Sequence, residues 1–149
     1  MPVMSDKKVI QKIVVAGVVI DNGKALILQR NSDEDIFPNM WELPSGKREP
    51  FESSVDAVKR ELKEEAGMDI EVIMPISTFE YQIEKEGEIR DTTQINFLVK
   101  PKGSSEIKLS HEHQNFAWIS ESEIDKYSLK EVGDVIRKVL KIEKREIAS

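Results

Sequence analysis

The stretch Gly46 to Met68, GKREPFESSVDAVKRELKEEAGM, decides the fold. Within it Glu61, Glu64 and Glu65 stand at spacings i, i+3 and i+4, which a helix places side by side on its surface. Three carboxylates held that close repel one another unless a cation shares them. Hard oxygen donors suit Mg²⁺ or Mn²⁺ better than zinc. The preceding loop opens on Gly46, which lets a backbone carbonyl approach such a cation. At about 100° per residue, Val55, Val58, Leu62 and Ala66 fall on one stripe that should face a sheet, and the three acids fall about a quarter turn away. Arg60 can reach Glu64 at i+4 or fold onto another carboxylate, and its fork can fix the orientation of one acid. Glu52 can hold the loop or reach the cation through water. The bland alternative is an acid-rich surface helix whose Lys59, Arg60 and Lys63 pair the glutamates. The combined spacing, not the Glu64-Glu65 pair alone, favours a site.

The helix should begin near Ser53 or Ser54, where Ser53 and Asp56 resemble a capping box, and end at Gly67. Upstream, Met1 to Val9 reads as a lead-in. Ile13 to Ile20 (IVVAGVVI) reads as a buried strand. Asp21-Asn22-Gly23-Lys24 is a turn signal, which makes Ala25 to Gln29 the partner strand of a hairpin. Asn31 to Asn39 is a polar loop. Its Asp33 and Asp35 lack the glycine and glutamate that a calcium loop needs downstream. Trp41 to Pro44 is a short extended lead into the central stretch.

Downstream, Ile70–Ile73, Ser77–Glu84 and Thr92–Val99 read as strands, with Lys85-Glu86-Gly87-Glu88 as a hairpin turn. Pro101 to Ser105 is a loop and Asn115 to Ile119 a further strand. Ser120 with Glu123 caps a short helix. From Leu129 onward, Val132, Val135, Ile136, Val139 and Leu140 repeat at helical spacing with one buried stripe. The other face carries six Lys or Arg and four acids through Ile147, a mixed pattern that fits a solvated face better than a nucleic-acid or membrane contact.

The chain has 149 residues, enough for one domain over 1–149 with its core at about 10–142. With 39% hydrophobic and 34% charged residues the composition is globular, not disordered. A net charge of −6 argues against a broad duplex-binding surface, though a bound cation can reverse the sign locally for a small anion. The absence of cysteine excludes disulfides and thiolate metal sites and fits a cytoplasmic location. There is no signal-peptide pattern, and the longest apolar run is too short to span a bilayer, so a soluble protein is expected.

The central stretch resembles the Nudix box, Gly-x5-Glu-x7-Arg-Glu-apolar-x-Glu-Glu-x-Gly-apolar, with Gly46, Glu52, Arg60, Glu61, Leu62, Glu64, Glu65, Gly67 and Met68 at its defined positions. The VAGVVI and ALILQR strands, the Trp41-x-Leu43-Pro44 lead-in and the Trp118 strand with its short helix also look like a MutT-type Nudix domain. Two positions depart from the common pattern: Ser45 stands where many members have the first of two glycines, and Phe51 where many have glycine before the first box glutamate.

The resemblance implies an α/β (α+β) fold, an α/β/α sandwich with a mixed β-sheet between helices. It implies a metal-dependent hydrolase of a nucleoside diphosphate linked to another group, yielding a nucleoside monophosphate and the phosphorylated remainder. Nucleoside triphosphates, ordinary or damaged, lead the substrate classes. ADP-ribose or a nucleotide sugar is the enzymatic alternative, and a non-catalytic nucleotide sensor the other. Glu61, Glu64 and Glu65, with the Gly46 carbonyl, would hold Mg²⁺ or Mn²⁺. Glu61 would also serve as general base, and Arg60 would position a box glutamate. A distal acid often completes such a site. Glu112 is the candidate and Glu106 the alternative. His111 and His113 flank Glu112 but lack HExxH spacing, which disfavours zinc. For the substrate, Trp41, Phe37, Tyr81, Phe97 and Trp118 are stacking candidates, Asn115 could read a base edge, and Arg90 could meet a phosphate. A homodimer is compatible with the sequence but not required by it.

Overall fold

The computed structural model describes residues 6–148. Strands β1 (Lys8–Asp21), β2 (Lys24–Arg30), β3 (Trp41–Glu42) and β4 (Ser45–Lys47) precede helix α1 (Ser54–Ala66). Strands β5 (Ile70–Lys85), β6 (Glu88–Pro101) and β7 (His113–Ile119) follow, then a 3₁₀ segment (Glu121–Tyr127) and helix α2 (Glu131–Ala148). The seven strands form one mixed sheet in the order β3-β2-β1-β6-β5, with β4 also paired to β1 and β7 to β2. The β1–β6 pair is parallel and the other pairs are antiparallel.

The near-continuous apolar run of β1 follows from burial on both faces. Val15 and Val19 turn to the α1 side with Leu26 and Leu28 of β2, against Ala57, Val58, Leu62 and Ala66. Ala16, Val18 and Ile20 turn the other way with Ala25 and Ile27, against Val135, Ile136, Val139 and Leu140 of α2. These clusters make the sandwich: helix, sheet, helix. Gly17 sits directly under Leu62, whose Cδ2 would lie 3.0 Å from any Cβ there. The missing side chain lets α1 settle close to the sheet. Leu62 is fully buried, and its truncation to alanine would cost about 2–5 kcal/mol.

Both predicted hairpin turns form, with Asn22, Gly23, Glu86 and Gly87 all at positive φ as a two-residue turn of this hand requires. Other boundaries differ. Lys8 and Val9 belong to β1 rather than to a lead-in, while residues 1–5 lie outside the described residues. The strands expected at Ile70–Ile73 and Ser77–Glu84 are one long strand, β5, with irregular register at Val72/Met74 and at Pro75/Ser77. Pro75 has no N–H to donate, and the bulges carry the strand past it. Val55, expected to face the sheet, is 41% exposed because it lies in the first turn of α1, and Ala57 takes the inward place. No helix among the described residues is long and apolar enough to cross a membrane.

Candidate functional site

The site is built where α1 passes under the β4 loop. Ser53 caps α1, its Oγ accepting from the Asp56 N–H at 3.0 Å. Gly67 ends the helix in the left-handed region at φ 67°, its N–H donating to the Lys63 carbonyl at 3.0 Å. Between these ends Arg60 organises the acids. Its Nε and Nη2 grip the two oxygens of Glu52 at 2.8 and 2.9 Å, and Nη2 also donates to the Lys47 carbonyl at 3.0 Å. Its Nη1 donates to Glu61 at 2.7 Å and to Glu64 at 3.4 Å. These contacts employ all five guanidinium donors, which only arginine can supply in this planar fork.

Glu52 is thereby a loop anchor. Its Oε1 also accepts from the Glu49 N–H at 3.1 Å, and Arg48 donates to its carbonyl at 3.1 Å. The Arg60 guanidinium, followed by the Glu49 N–H, holds its carboxyl down to a pKa of about 2.

The three box acids separate. Glu61 and Glu65 are buried, at 8% and 6% exposure, whereas the Glu64 side chain stands 58% exposed. One equal acid face about a quarter turn from the core is therefore not what forms. Glu61 and Glu65 flank Leu62 and sink with it, and Glu64 points outward. Burial raises the pKa of Glu61 against the pull of Arg60, with Glu64 and Glu112 adding repulsion. Burial raises Glu65 well above the usual carboxylate range, opposed by the Ser45 N–H, which donates to it at 2.8 Å. Glu42, Glu112 and Glu61 all push the same way.

Gly46 is the residue that makes room. A Cβ at this position would lie 2.0 Å from Glu61 Cδ and closer than 2.5 Å to both of its oxygens. The glycine requirement is therefore one of space for Glu61.

Exposed Glu112 lies near enough to repel Glu61 and Glu65, and its loop is stitched to α1 and to the β2 end. Lys108 N–H donates to Ala66 O at 2.8 Å, Ser110 N–H to Glu65 O at 3.3 Å, and Asn31 N–H to Glu112 O at 2.9 Å. Glu106 lies instead beside Gly67, Asp69 and Lys102 at the far end of α1. The two histidines diverge: His111 is exposed, while His113 is buried and its Nε2 meets Glu42 at 2.8 Å. Among the described residues, no three His, Asp or Glu side chains are gathered into a ready metal cage. What is present are two carboxylates kept in a raised-pKa environment under a glycine cradle, an all-oxygen donor set of the kind a hard divalent cation takes.

The substrate candidates are dispersed. Phe37 is 50% exposed on the loop before β3. Trp41 is half-buried and meets Tyr127 edge-on, with centroids 5.0 Å apart. Asn115 is exposed, and its side-chain oxygen accepts from the Phe116 N–H at 2.9 Å. Phe97 is corrected: only 5% exposed, it packs in the α1-side core, because its position on β6 turns it under the helix. Trp118 packs against that same core. Arg90 pairs with Glu88 at 3.3 Å as a strand-end charge. Sequence reasoning missed Glu42, Ser45 as an N–H donor to Glu65, and His113 as the partner of Glu42. A charged residue within the otherwise apolar Trp41-Glu42-Leu43-Pro44 run was the available signal for Glu42.

Comparison with known proteins matches a family model, the NUDIX domain, over residues 11–141. A relative called nucleoside triphosphatase NudI, from Enterobacter sp., is 26% identical over 128 residues, covering 81% of this chain and 90% of the relative. The solution structure of the E. coli ORF135 protein superposes with a TM-score of 0.65 at 26% identity, covering 98% of this chain and 99% of that one. The crystal structure of a MutT protein from Methanosarcina mazei Go1 has a TM-score of 0.75 at 24% identity, covering 95% and 99%, which speaks to the fold alone.

Proposed function

The chain belongs to the NUDIX family, and from that premise we propose that it is a divalent-metal-dependent pyrophosphohydrolase of nucleoside diphosphate derivatives, with nucleoside triphosphates as the leading substrates. The observation that carries this reading is the burial of Glu61 and Glu65 at 8% and 6% exposure beneath Gly46. Two partly uncompensated carboxylates kept out of water are costly to a fold. The arrangement is best accounted for as preparation for a cation. Glu61 and Glu65, with Glu64, Glu112 and the Gly46 carbonyl, would hold Mg²⁺ or Mn²⁺. When bound, such an ion neutralises diphosphate charge and lowers the pKa of a coordinated water.

The chain's own residues supply the rest. Arg60 holds Glu52 and Glu61 in fixed orientation, so that neither has to be ordered during reaction. Glu61, whose pKa is raised by burial, is suited to take a proton from the attacking water. Attack at phosphorus breaks the anhydride bond and releases a nucleoside monophosphate and the phosphorylated remainder. The name of the NudI relative supports triphosphates as the first class to test.

A panel of ribo- and deoxyribonucleoside triphosphates, ADP-ribose and nucleotide sugars with Mg²⁺ tests the reading. At least one should yield a nucleoside monophosphate, and Glu65→Gln should abolish most of that turnover while retaining the fold. Normal turnover by the variant would refute the role of Glu65. Tight binding of a nucleotide without hydrolysis would favour a sensing module instead.

A further inference from the structure

We propose that Asn31 and Gln114 are positioning residues for Glu112, fixing the turn that carries this distant acid beside the buried box glutamates. The inference rests on the reading of the chain as a metal-dependent hydrolase and concerns how its metal site is completed.

The turn is short. The His113 N–H donates to the Ser110 carbonyl at 3.4 Å, so Ser110 to His113 form a four-residue turn with Glu112 at its third position. The charge of Glu112 acts on both Glu61 and Glu65 from there. Its side chain is exposed and makes no hydrogen bond or ion pair among the described residues. A side chain with no anchor of its own is aimed only through its backbone.

That backbone is held on every side. The Glu112 N–H donates to Ser110 Oγ at 3.3 Å, and the Glu112 carbonyl accepts from the Asn31 N–H at 2.9 Å. Asn31 takes the preceding carbonyl as well. Its Nδ2 donates to His111 O at 3.0 Å, while its Oδ1 accepts from the Ser32 N–H at 2.9 Å. A donor and an acceptor on one short side chain require an amide; aspartate lacks the donor and alanine lacks both. At the other end the Ser110 N–H donates to the Glu65 carbonyl at 3.3 Å. The turn is therefore strung between the backbone of a box acid and Asn31.

Strand register decides which residue meets Asn31. Strands β2 and β7 place Gln29 opposite Asn115 and then Arg30 opposite His113, so Gln114 is an extra residue, a bulge. In an unbroken ladder Asn31 would stand opposite His113 and not Glu112. Bulges beside functional sites commonly re-aim a side chain in this way. Gln114 holds the offset itself, its Nε2 donating to the Arg30 carbonyl at 2.9 Å and to Asn39 Oδ1 at 2.7 Å.

Mn²⁺ affinity, read by electron paramagnetic resonance on nucleotide-free protein, gives a readout that needs no turnover. It is measured beside kcat, KM and thermal unfolding for wild type, Asn31→Ala, Asn31→Asp, Gln114→Ala, Glu112→Gln and the double variant Asn31→Ala with Glu112→Gln. Asn31→Asp keeps the acceptor for Ser32 and so retains the local turn if alanine does not. Asn31→Ala should weaken Mn²⁺ binding and lower kcat about tenfold or more, the range for losing a group that orients a metal ligand, with a smaller effect on KM. Gln114→Ala should follow it. In the Glu112→Gln background Asn31→Ala should add little, because both changes remove the same acid.

Wild-type Mn²⁺ affinity and kcat in folded Asn31→Ala and Asn31→Asp would overturn the proposal. So would a full additional loss in the Glu112→Gln background, which marks general loosening of the fold, or wild-type metal binding by Glu112→Gln itself. If the Mn²⁺ pattern holds but no nucleotide is hydrolysed, the catalytic reading falls while the positioning of Glu112 stands. If wild type binds no Mn²⁺, both fall.

Discussion

Gly46→Ala separates space for Glu61 from the other reasons a glycine could stand in this loop. The backbone at Gly46 does not need positive φ, so alanine fits the strand conformation of β4. Its methyl carbon would lie 2.0 Å from Glu61 Cδ, where ordinary carbon contacts are about 3.5–4.0 Å. The carboxyl must retreat by about 1.5 Å to restore an ordinary separation. Because that group ends a flexible side chain, the fold can yield cheaply. Arg60 keeps its two bonds to Glu52, and the ion pair that breaks is Arg60–Glu61 at 2.7 Å. Breaking it costs about 0–1 kcal/mol given that the Arg60 side chain is 30% exposed, a fall in Tm of no more than about 2–4 °C. Catalysis is less forgiving, since displacement of a reacting group by about 1 Å costs on the order of a hundredfold.

The assay is initial-rate product release with Mg²⁺, beside thermal unfolding of the same preparations. Glu61→Ala and the double variant complete a thermodynamic cycle. If alanine acts by displacing Glu61, the double variant loses little more than Glu61→Ala alone. Turnover by Gly46→Ala within about threefold of wild type would refute the displacement account. So would a full additional loss in the Glu61→Ala background, which would assign Gly46 an independent role such as its carbonyl.

Three other outcomes follow from the same site. Glu65 and Glu61 have folded pKa values raised above their unfolded ones, so the folded state binds more protons above the usual carboxylate range and stability falls as pH rises there. In chelator, Tm should decline as pH rises above the usual carboxylate range, and Glu65→Gln should flatten that decline and raise Tm at neutral pH; a profile that is flat in wild type contradicts it. Glu52 has the opposite sign, its contribution present above the usual carboxylate range and lost as pH falls towards about 2. Arg60→Lys removes the fork, so the Glu52 carboxyl should titrate nearer its ordinary range by NMR and turnover should drop about tenfold or more; an unmoved Glu52 titration would show that Arg60 is not its main partner. Phe51 holds φ 65° with its ring fully exposed, so Phe51→Gly should relieve about 1 kcal/mol of strain and raise Tm by about 2–4 °C, whereas a fall in Tm would reveal packing of the ring.

Local signals were legible where local physics decides. Asn22-Gly23 and Glu86-Gly87 demand positive φ and announced their turns, Ser53 and Gly67 bracketed α1, and the apolar run of β1 announced a buried strand. Ile70–Ile73 and Ser77–Glu84 read as two strands, whereas the bulges that carry the single strand β5 past Pro75 depend on pairing with β6. Phe97 read as a stacking surface because an aromatic on a strand shows no preferred face until the register with β1 is known. Glu42 and His113 are 71 residues apart, and no periodicity connects them.

The separation of the three glutamates has a physical origin that helical spacing alone does not contain. How much of a helix is buried depends on how deeply it sits, and depth is set by what lies beneath it. Under α1 the sheet presents Gly17 against Leu62, and over it the β4 loop presents Gly46 against Glu61. With no side chain at either place, the helix settles until residues beside the Leu62 line are covered as well. Glu61 and Glu65 lie on that widened margin and are drawn out of water, while Glu64, one position further round, stays outside. Two glycines 29 positions apart thus decide which of the crowded carboxylates acquire raised pKa values. Burial, not proximity alone, is what makes Glu61 and Glu65 chemically distinct from an ordinary acidic surface.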